Sequence, residues 1–94
     1  MRVAGRLVLE RFGQEYPDSR GPIDAWVSEV RSAKWETPHA LKKRYPNASL
    51  LGGGRVVFNI RGNNYRLVAA IDYQNQLCVV ERIGTHDEYD KWSL

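Results

Sequence analysis

The stretch that most limits the fold is RVVFNIRGNNYRLVAAIDYQNQLCVVERIGT, residues 55–85. Three apolar runs, 55–60, 65–73 and 76–85, are separated by RGNN (61–64) and QN (74–75). Gly and Asn tolerate positive φ, so both spacers predict tight turns. Connections this short cannot hold a crossover, so the three runs must be antiparallel neighbours. On the first run Val56, Phe58 and Ile60 share a face. On the second, Tyr65, Leu67, Ala69 and Ile71 share one face and Val68 and Ala70 the other, as expected of a central strand covered on both sides.

Ahead of this meander the apolar spacing is helical. Val8, Phe12 and Tyr16 recur every four residues after Gly5, with Leu9 beside them, and Pro17 stops the run. PDSRGP offers Asp18 or Ser19 as a cap for a second helix, whose Ile23, Trp26, Val27 and Val30 form an i, i+3, i+4, i+7 stripe. A short third helix follows in TPHALKKRYP, with Thr37 as N-cap, Pro38 at the first turn and Pro46 at the close. Residues 2–4 are long enough only for a short edge strand, and LGGGR (51–55) is expected to be a flexible entry to the sheet. Helices precede the meander, so the class is α+β: two N-terminal helices and a short third packed on an antiparallel sheet.

Length bounds the rest: 94 residues predict one domain, 1–94, with an economical core. No apolar run approaches a membrane span, and the charges in MRVAGRLVLERF leave no signal-peptide core. The single cysteine, Cys78, excludes an internal disulfide and sits in an apolar run as a small hydrophobe. These features point to a soluble cytoplasmic protein. The net charge is +3, but its placement says more: between Arg31 and Arg66 there are eight basic residues and one acid, Glu36. A basic middle of this kind attracts a polyanion or forms solvated faces, and charge alone leaves both open.

Few residues offer chemistry. GTHDEYDKW (84–92) contains the capping-box pattern, Thr85 with Glu88 three residues on, so a short terminal helix beginning at His86 is predicted. His86, Tyr89 and Asp90 would share a face of it. The plain alternative is a surface cap with a stray histidine. Arg66 shares the Val68/Ala70 face of the central strand, where it must either pair with Asp72 or Glu81 or point into a cleft. Asn59 is placed to face the same way, and Arg61 and Asn63 occupy the hairpin turn. His39 falls on the exposed third helix. Two distant histidines and one cysteine make no zinc pattern, no phosphate-binding glycine loop is complete, and no serine has a nucleophile-elbow context.

RVVFNIRGNNYRLVAAIDY and GTHDEYDK, together with GPIDAWVSEVRSAKWETPHALKKRYPNAS and RVAGRLVLERF, resemble the HigB family of bacterial toxins over nearly the whole chain. The resemblance implies a RelE-like fold and a translation-dependent mRNA interferase that cuts messages in the ribosomal A site. It implies no metal or cofactor, since such toxins use the RNA's own 2′-OH as nucleophile. Its partners would be the ribosome, mRNA and a HigA-like helix-turn-helix antitoxin, through which operator DNA is contacted indirectly. Carried onto this sequence, His86 becomes the acid or base, Arg66 the transition-state cation, Lys91 an assistant and Tyr89 a stacking or positioning group. Arg61, Asn63, Asn59 and the run Lys42, Lys43, Arg44 would grip RNA or ribosomal RNA. Some relatives have a basic C-terminal extension beyond the HDEYDK stretch; here the sequence reaches only Leu94, so ribosome contacts are expected on the middle basic segment. Two alternatives share the fold: a ParE-like, non-enzymatic gyrase inhibitor, and an inactive RNA- or protein-binding module.

Overall fold

The computed structural model describes residues 1–94. Strand β1 (Arg2–Ala4) leads through Gly5 into helix α1 (Arg6–Glu15), and one 3₁₀ turn (Pro17–Ser19) connects α1 to α2 (Arg20–Ser32). Then come α3 (Pro38–Arg44), the two-residue strand β2 (Ser49–Leu50), a 3₁₀ turn over Gly52–Gly54, β3 (Arg55–Ile60), β4 (Tyr65–Asp72), β5 (Leu77–Thr85) and α4 (His86–Tyr89). The sheet order is β1-β5-β4-β3-β2.

The meander forms as the two short turns require: β3, β4 and β5 are antiparallel neighbours with β4 in the centre. The sheet is nevertheless mixed, because β1 lies parallel to the outer edge of β5, pairing Arg2 with Leu77 and Ala4 with Val79. A parallel partner needs a long crossover. The whole chain between β1 and β5 supplies it, which no local pattern in three residues can reveal. β2 is likewise too short to leave a periodic signal, and the glycines of LGGGR form a 3₁₀ turn with positive φ at Gly53 and Gly54. Neither expected cap on α2 forms. The Ser19 hydroxyl donates to the Tyr16 carbonyl instead, and Asp18 faces the sheet.

One face of the sheet meets the helices. Val56, Phe58 and Ile60 of β3, Tyr65, Leu67, Ala69 and Ile71 of β4, and Cys78 and Val80 of β5 join Leu9, Phe12, Ile23, Trp26, Val27, Val30 and Leu41 in one core. Each fully buried aliphatic or aromatic side chain contributes roughly 1.5–3 kcal/mol by leaving water. Trp26 crosses Phe58 edge to face at 5.2 Å, seating α2 on β3.

The second face carries Val57, Asn59, Arg66, Val68 and Arg82. Val57 and Val68 are cross-strand partners, buried yet outside the main core. A β-bulge decides what β5 contributes: Val68 pairs with Arg82 but the next residue, Ala69, pairs with Val80, leaving Glu81 unpaired. One extra residue reverses the alternation, so Cys78 and Val80 point into the core before the bulge and Ile83 after it. Arg82 and Gly84 are thereby turned to the second face, and the chain's end returns over them. Trp92 packs so closely on Gly84 that a Cβ there would lie 2.6 Å from its ring. No helix is long and apolar enough to cross a membrane.

Two glycines should therefore respond differently to Ala. At Gly5, φ is +83° and a Cβ would meet the Val80 carbonyl oxygen at 2.5 Å, a backbone atom that cannot move aside. Gly5→Ala should cost about 2 kcal/mol or more. Gly84→Ala meets the outer atoms of an indole, which can swing away, and should cost only about 1 kcal/mol while exposing Trp92. Urea unfolding followed by tryptophan emission distinguishes the two. Cys78 gives a further expectation: it is fully buried, and burial pushes its thiol up to about 12. Above the unfolded thiol's pKa of about 8.5 the unfolded chain loses a proton that the folded chain keeps, so stability should fall as pH rises from there. Cys78→Ala should flatten that alkaline slope in urea titrations.

Candidate active site at the turn end of the sheet

The β3–β4 hairpin turns through Arg61–Asn64, closed by the Asn64 amide donating to the Arg61 carbonyl at 3.2 Å. Arg61 and Gly62 take the positive φ values, 53° and 62°, rather than the asparagines. A non-glycine in that region is strained by about 1–2 kcal/mol. The Arg61 guanidinium lies 3.3 Å from Asp18 at the junction of α1 and α2. Asp18 also accepts from the Tyr65 hydroxyl at 2.5 Å, which raises the Tyr65 pKa. Tyr65 in turn packs against Phe12 and Tyr16, at 5.1 and 5.6 Å between ring centres. The turn is thus pinned to the helical layer from two directions.

Arg66, the second residue of β4, is only 8% exposed. It does not pair with Asp72 or Glu81, and no carboxylate lies within salt-bridge distance. Its two terminal nitrogens donate to Asn63 alone, one to the backbone carbonyl at 2.9 Å and the other to the side-chain oxygen at 2.8 Å. Its guanidinium carbon stands 5.6 Å from the centre of the Tyr89 ring. Asn59 is its cross-strand neighbour on β3 and Gly84 on β5.

α4 starts where the sequence places it, and both hydrogen bonds of the capping box form: Glu88 amide to the Thr85 hydroxyl at 3.1 Å, Thr85 amide to the Glu88 carboxylate at 2.9 Å. The His86 amide donates to the Asn64 carbonyl at 3.1 Å, tying this helix to the hairpin turn. His86 Nε2 lies 3.4 Å from Asp90, while Nδ1 is enclosed and has no hydrogen-bond partner. Tyr89 sits one turn on, over Arg66, and Lys91 is exposed just beyond.

The structure therefore brings Arg66, Asn63, Tyr89 and the helix bearing His86 to one end of the sheet. The other expected residues are more dispersed. Asn59 donates weakly to the Asn47 carbonyl at 3.4 Å. Lys42 donates to the Ala48 carbonyl, and Arg44 pairs with Glu29 and covers the Tyr45 ring, so of the KKR run only Lys43 is exposed and unengaged. The Glu29 carboxylate also accepts from the Tyr45 hydroxyl, and burial together with this bond pushes that phenol well up. A cleft of about 490 Å³ lined by Arg44, Asn47, Asn59 and Asn63 connects this corner to the hairpin turn. No group of three or more His, Cys, Asp or Glu side chains is close enough to hold a metal ion.

Two side chains at this end had no counterpart in the sequence reading. Trp92 meets Tyr89 edge to face at 5.7 Å, and the Arg82 guanidinium lies 4.8 Å from the Trp92 ring centre. The i, i+3 spacing of Tyr89 and Trp92 was a signal for the first. Arg82 had none, since its facing depends on the bulge.

Comparison with known proteins matches residues 19–92 to the HigB toxin family, described as the RelE-like toxic component of a toxin–antitoxin system. The mRNA interferase toxin HigB of Escherichia coli strain K12 is 26% identical over 92 residues, covering 96% of this chain and 88% of that protein. The mRNA interferase HigB of Shigella flexneri shows the same identity and coverage. That of Escherichia coli O6:H1 is 25% identical over 93 residues, covering 97% of this chain and 90% of its own length. With the expected α+β fold and a match over most of its residues, the chain belongs to the HigB family of RelE-like toxins, and its counterpart is an antitoxin.

Proposed function

We propose that this toxin is an mRNA interferase, an endoribonuclease that enters the ribosomal A site and cuts the message there. The relatives that share most of its length are named mRNA interferases, which supports the endoribonuclease part of this reading. One structural observation supports the reading above others: Arg66 is almost buried, yet only neutral acceptors hold it. A guanidinium taken from water without a counter-charge is costly. A phosphodiester docked against it would supply that charge. The enclosed, unpaired Nδ1 of His86 supports it too, because a histidine kept for structure is normally hydrogen-bonded.

The reaction is attack by the RNA 2′-OH on its own phosphorus. The 2′ oxygen–phosphorus bond forms, the bond to the 5′ oxygen breaks, and a 2′,3′-cyclic phosphate remains on one fragment. One group takes the 2′-OH proton and another protonates the leaving 5′ oxygen, and His86 serves as one of them. Arg66 balances the extra negative charge on phosphorus, with Lys91 assisting. Tyr89, already over Arg66, stacks on a neighbouring base. Arg61, Asn59, Lys42, Lys43 and Arg44 contact the RNA backbone or ribosomal RNA, with Lys43 the most available. Asn63 acts chiefly by fixing the Arg66 guanidinium. No metal or cofactor takes part. The toxin works in the cytoplasm and is held by a HigA-like helix-turn-helix antitoxin, which links it to operator DNA.

Primer extension on a translated message after induction tests this directly. Cuts should appear at codon positions and disappear when translation is blocked, with fragment ends bearing 2′,3′-cyclic or 3′-phosphate. His86→Ala should slow cleavage by about 10²–10⁴-fold. Arg66→Gln should slow it by about 10²–10³-fold. Both should relieve growth arrest while antitoxin co-purification persists. Full toxicity in both variants would overturn the site, and a DNA-damage response with intact messages would indicate gyrase inhibition instead. Asn63→Ala, which frees the guanidinium, should cost up to about 10²-fold in cleavage with little change in melting temperature.

A further inference from the structure

On the sheet face away from the core, two arginines stand on neighbouring strands in diagonal register. Arg66 faces Gly84, and Arg82 lies two residues before Gly84 on the same strand. Diagonal neighbours of this kind are about 7–8 Å apart, of the order of one nucleotide step along an extended backbone. Each guanidinium lies against an aromatic ring, Arg66 on Tyr89 and Arg82 on Trp92, and the two rings touch edge to face. Neither arginine has a carboxylate within salt-bridge distance. The Glu88 carboxylate, beside Gly84, accepts from the Thr85 amide. Gly84 is what allows the arrangement, since any Cβ there would occupy the space of the Trp92 ring.

Arg66 spends an N–H of each terminal nitrogen on Asn63, whereas the Arg82 side chain makes no hydrogen bond within the protein, so its N–H groups remain for a phosphate. We propose that Arg82 and Trp92 form a second nucleotide subsite beside Arg66: Arg82 holds the phosphate next to the one at Arg66, and the open part of the Trp92 ring takes a base. The subsite rests on the proposed ribonuclease reading, whose RNA strand it extends along the sheet. The Tyr89–Trp92 pair then offers two adjacent aromatic surfaces, each with its own cation, in place of a single isolated contact. Stacking on aromatic side chains tolerates any base, so the subsite strengthens the grip on the strand without adding sequence preference.

The test is equilibrium binding of the full chain to a short all-2′-deoxy or 2′-O-methyl oligonucleotide, which cannot be cut, across a range of salt. Each phosphate neutralised on a single strand contributes about 0.7 to the slope of log affinity against log salt. Arg82→Gln should reduce that slope by about 0.7, and Arg82→Lys, which keeps the charge, should preserve it. Trp26 and Trp35 are buried, so quenching of tryptophan emission on binding should come from Trp92 and vanish in Trp92→Phe. A wild-type slope and affinity in Arg82→Gln, in protein whose circular dichroism is unchanged, would overturn the subsite. So would binding without a Trp92 response, or no measurable binding by the wild-type chain. An Arg82-dependent slope in a toxin that leaves translated messages whole would sink the ribonuclease reading and keep the subsite; cleavage with a slope indifferent to Arg82 would do the reverse.

Discussion

Arg61, Asn63 and Asn64 link two strands, and each also makes a contact that leaves the ladder. Arg61 reaches Asp18 between the first two helices, Asn63 holds the Arg66 guanidinium at two points, and the Asn64 carbonyl accepts the first amide of the terminal helix. One four-residue turn therefore sets the relative positions of the helical layer, the sheet's nearly buried cation and the histidine-bearing helix. The cost of holding Arg61 at positive φ, about 1–2 kcal/mol, is of the same order as one such contact and is offset by three of them together.

The two faces of the sheet divide the work. The face against the helices is a continuous apolar core, where Phe58, Leu67 and Cys78 are essentially out of contact with water. The other face buries only a narrow Val57–Val68 centre, bordered by Asn59, Arg66 and Arg82. The returning tail lays Trp92 on the sheet over Gly84. A small domain has little core to spare. Using the central strand on both sides stabilises it and keeps the polar side chains to the rim of the second face.

That rim is selective in how it holds its charge. Arg61 and Arg44 are paired with carboxylates and Lys42 with a carbonyl, whereas Arg66 and Arg82 are held by an amide and by aromatic rings. Neutral partners orient a guanidinium without cancelling its charge. The field of the basic middle segment is thus partly spent within the molecule. The Arg66 and Arg82 guanidinium groups lie at the end of the sheet where β4, β5 and α4 meet, beside the acidic first turn of α4, not along the KKR helix where the sequence concentrates its basic residues.

What the sequence determined by itself was local. Turn residues and two-residue alternation dictated the β3–β4–β5 meander, the Ile23–Val30 stripe dictated α2, and Thr85 with Glu88 dictated α4. His86, Arg66 and Tyr89 could be singled out because each depends only on its own element's periodicity and on the family motifs around it. The parallel pairing of β1, the destination of Asp18, the choice of Asn63 over Asp72 or Glu81 as partner for Arg66, and the stacking of Trp92 on Arg82 were decided by tertiary structure. The physical reason is the same in each case. These contacts join residues that only the finished sheet brings together, and the facing of β5 turns on one unpaired residue, Glu81, whose bulge inverts the alternation that a sequence pattern must assume to be unbroken.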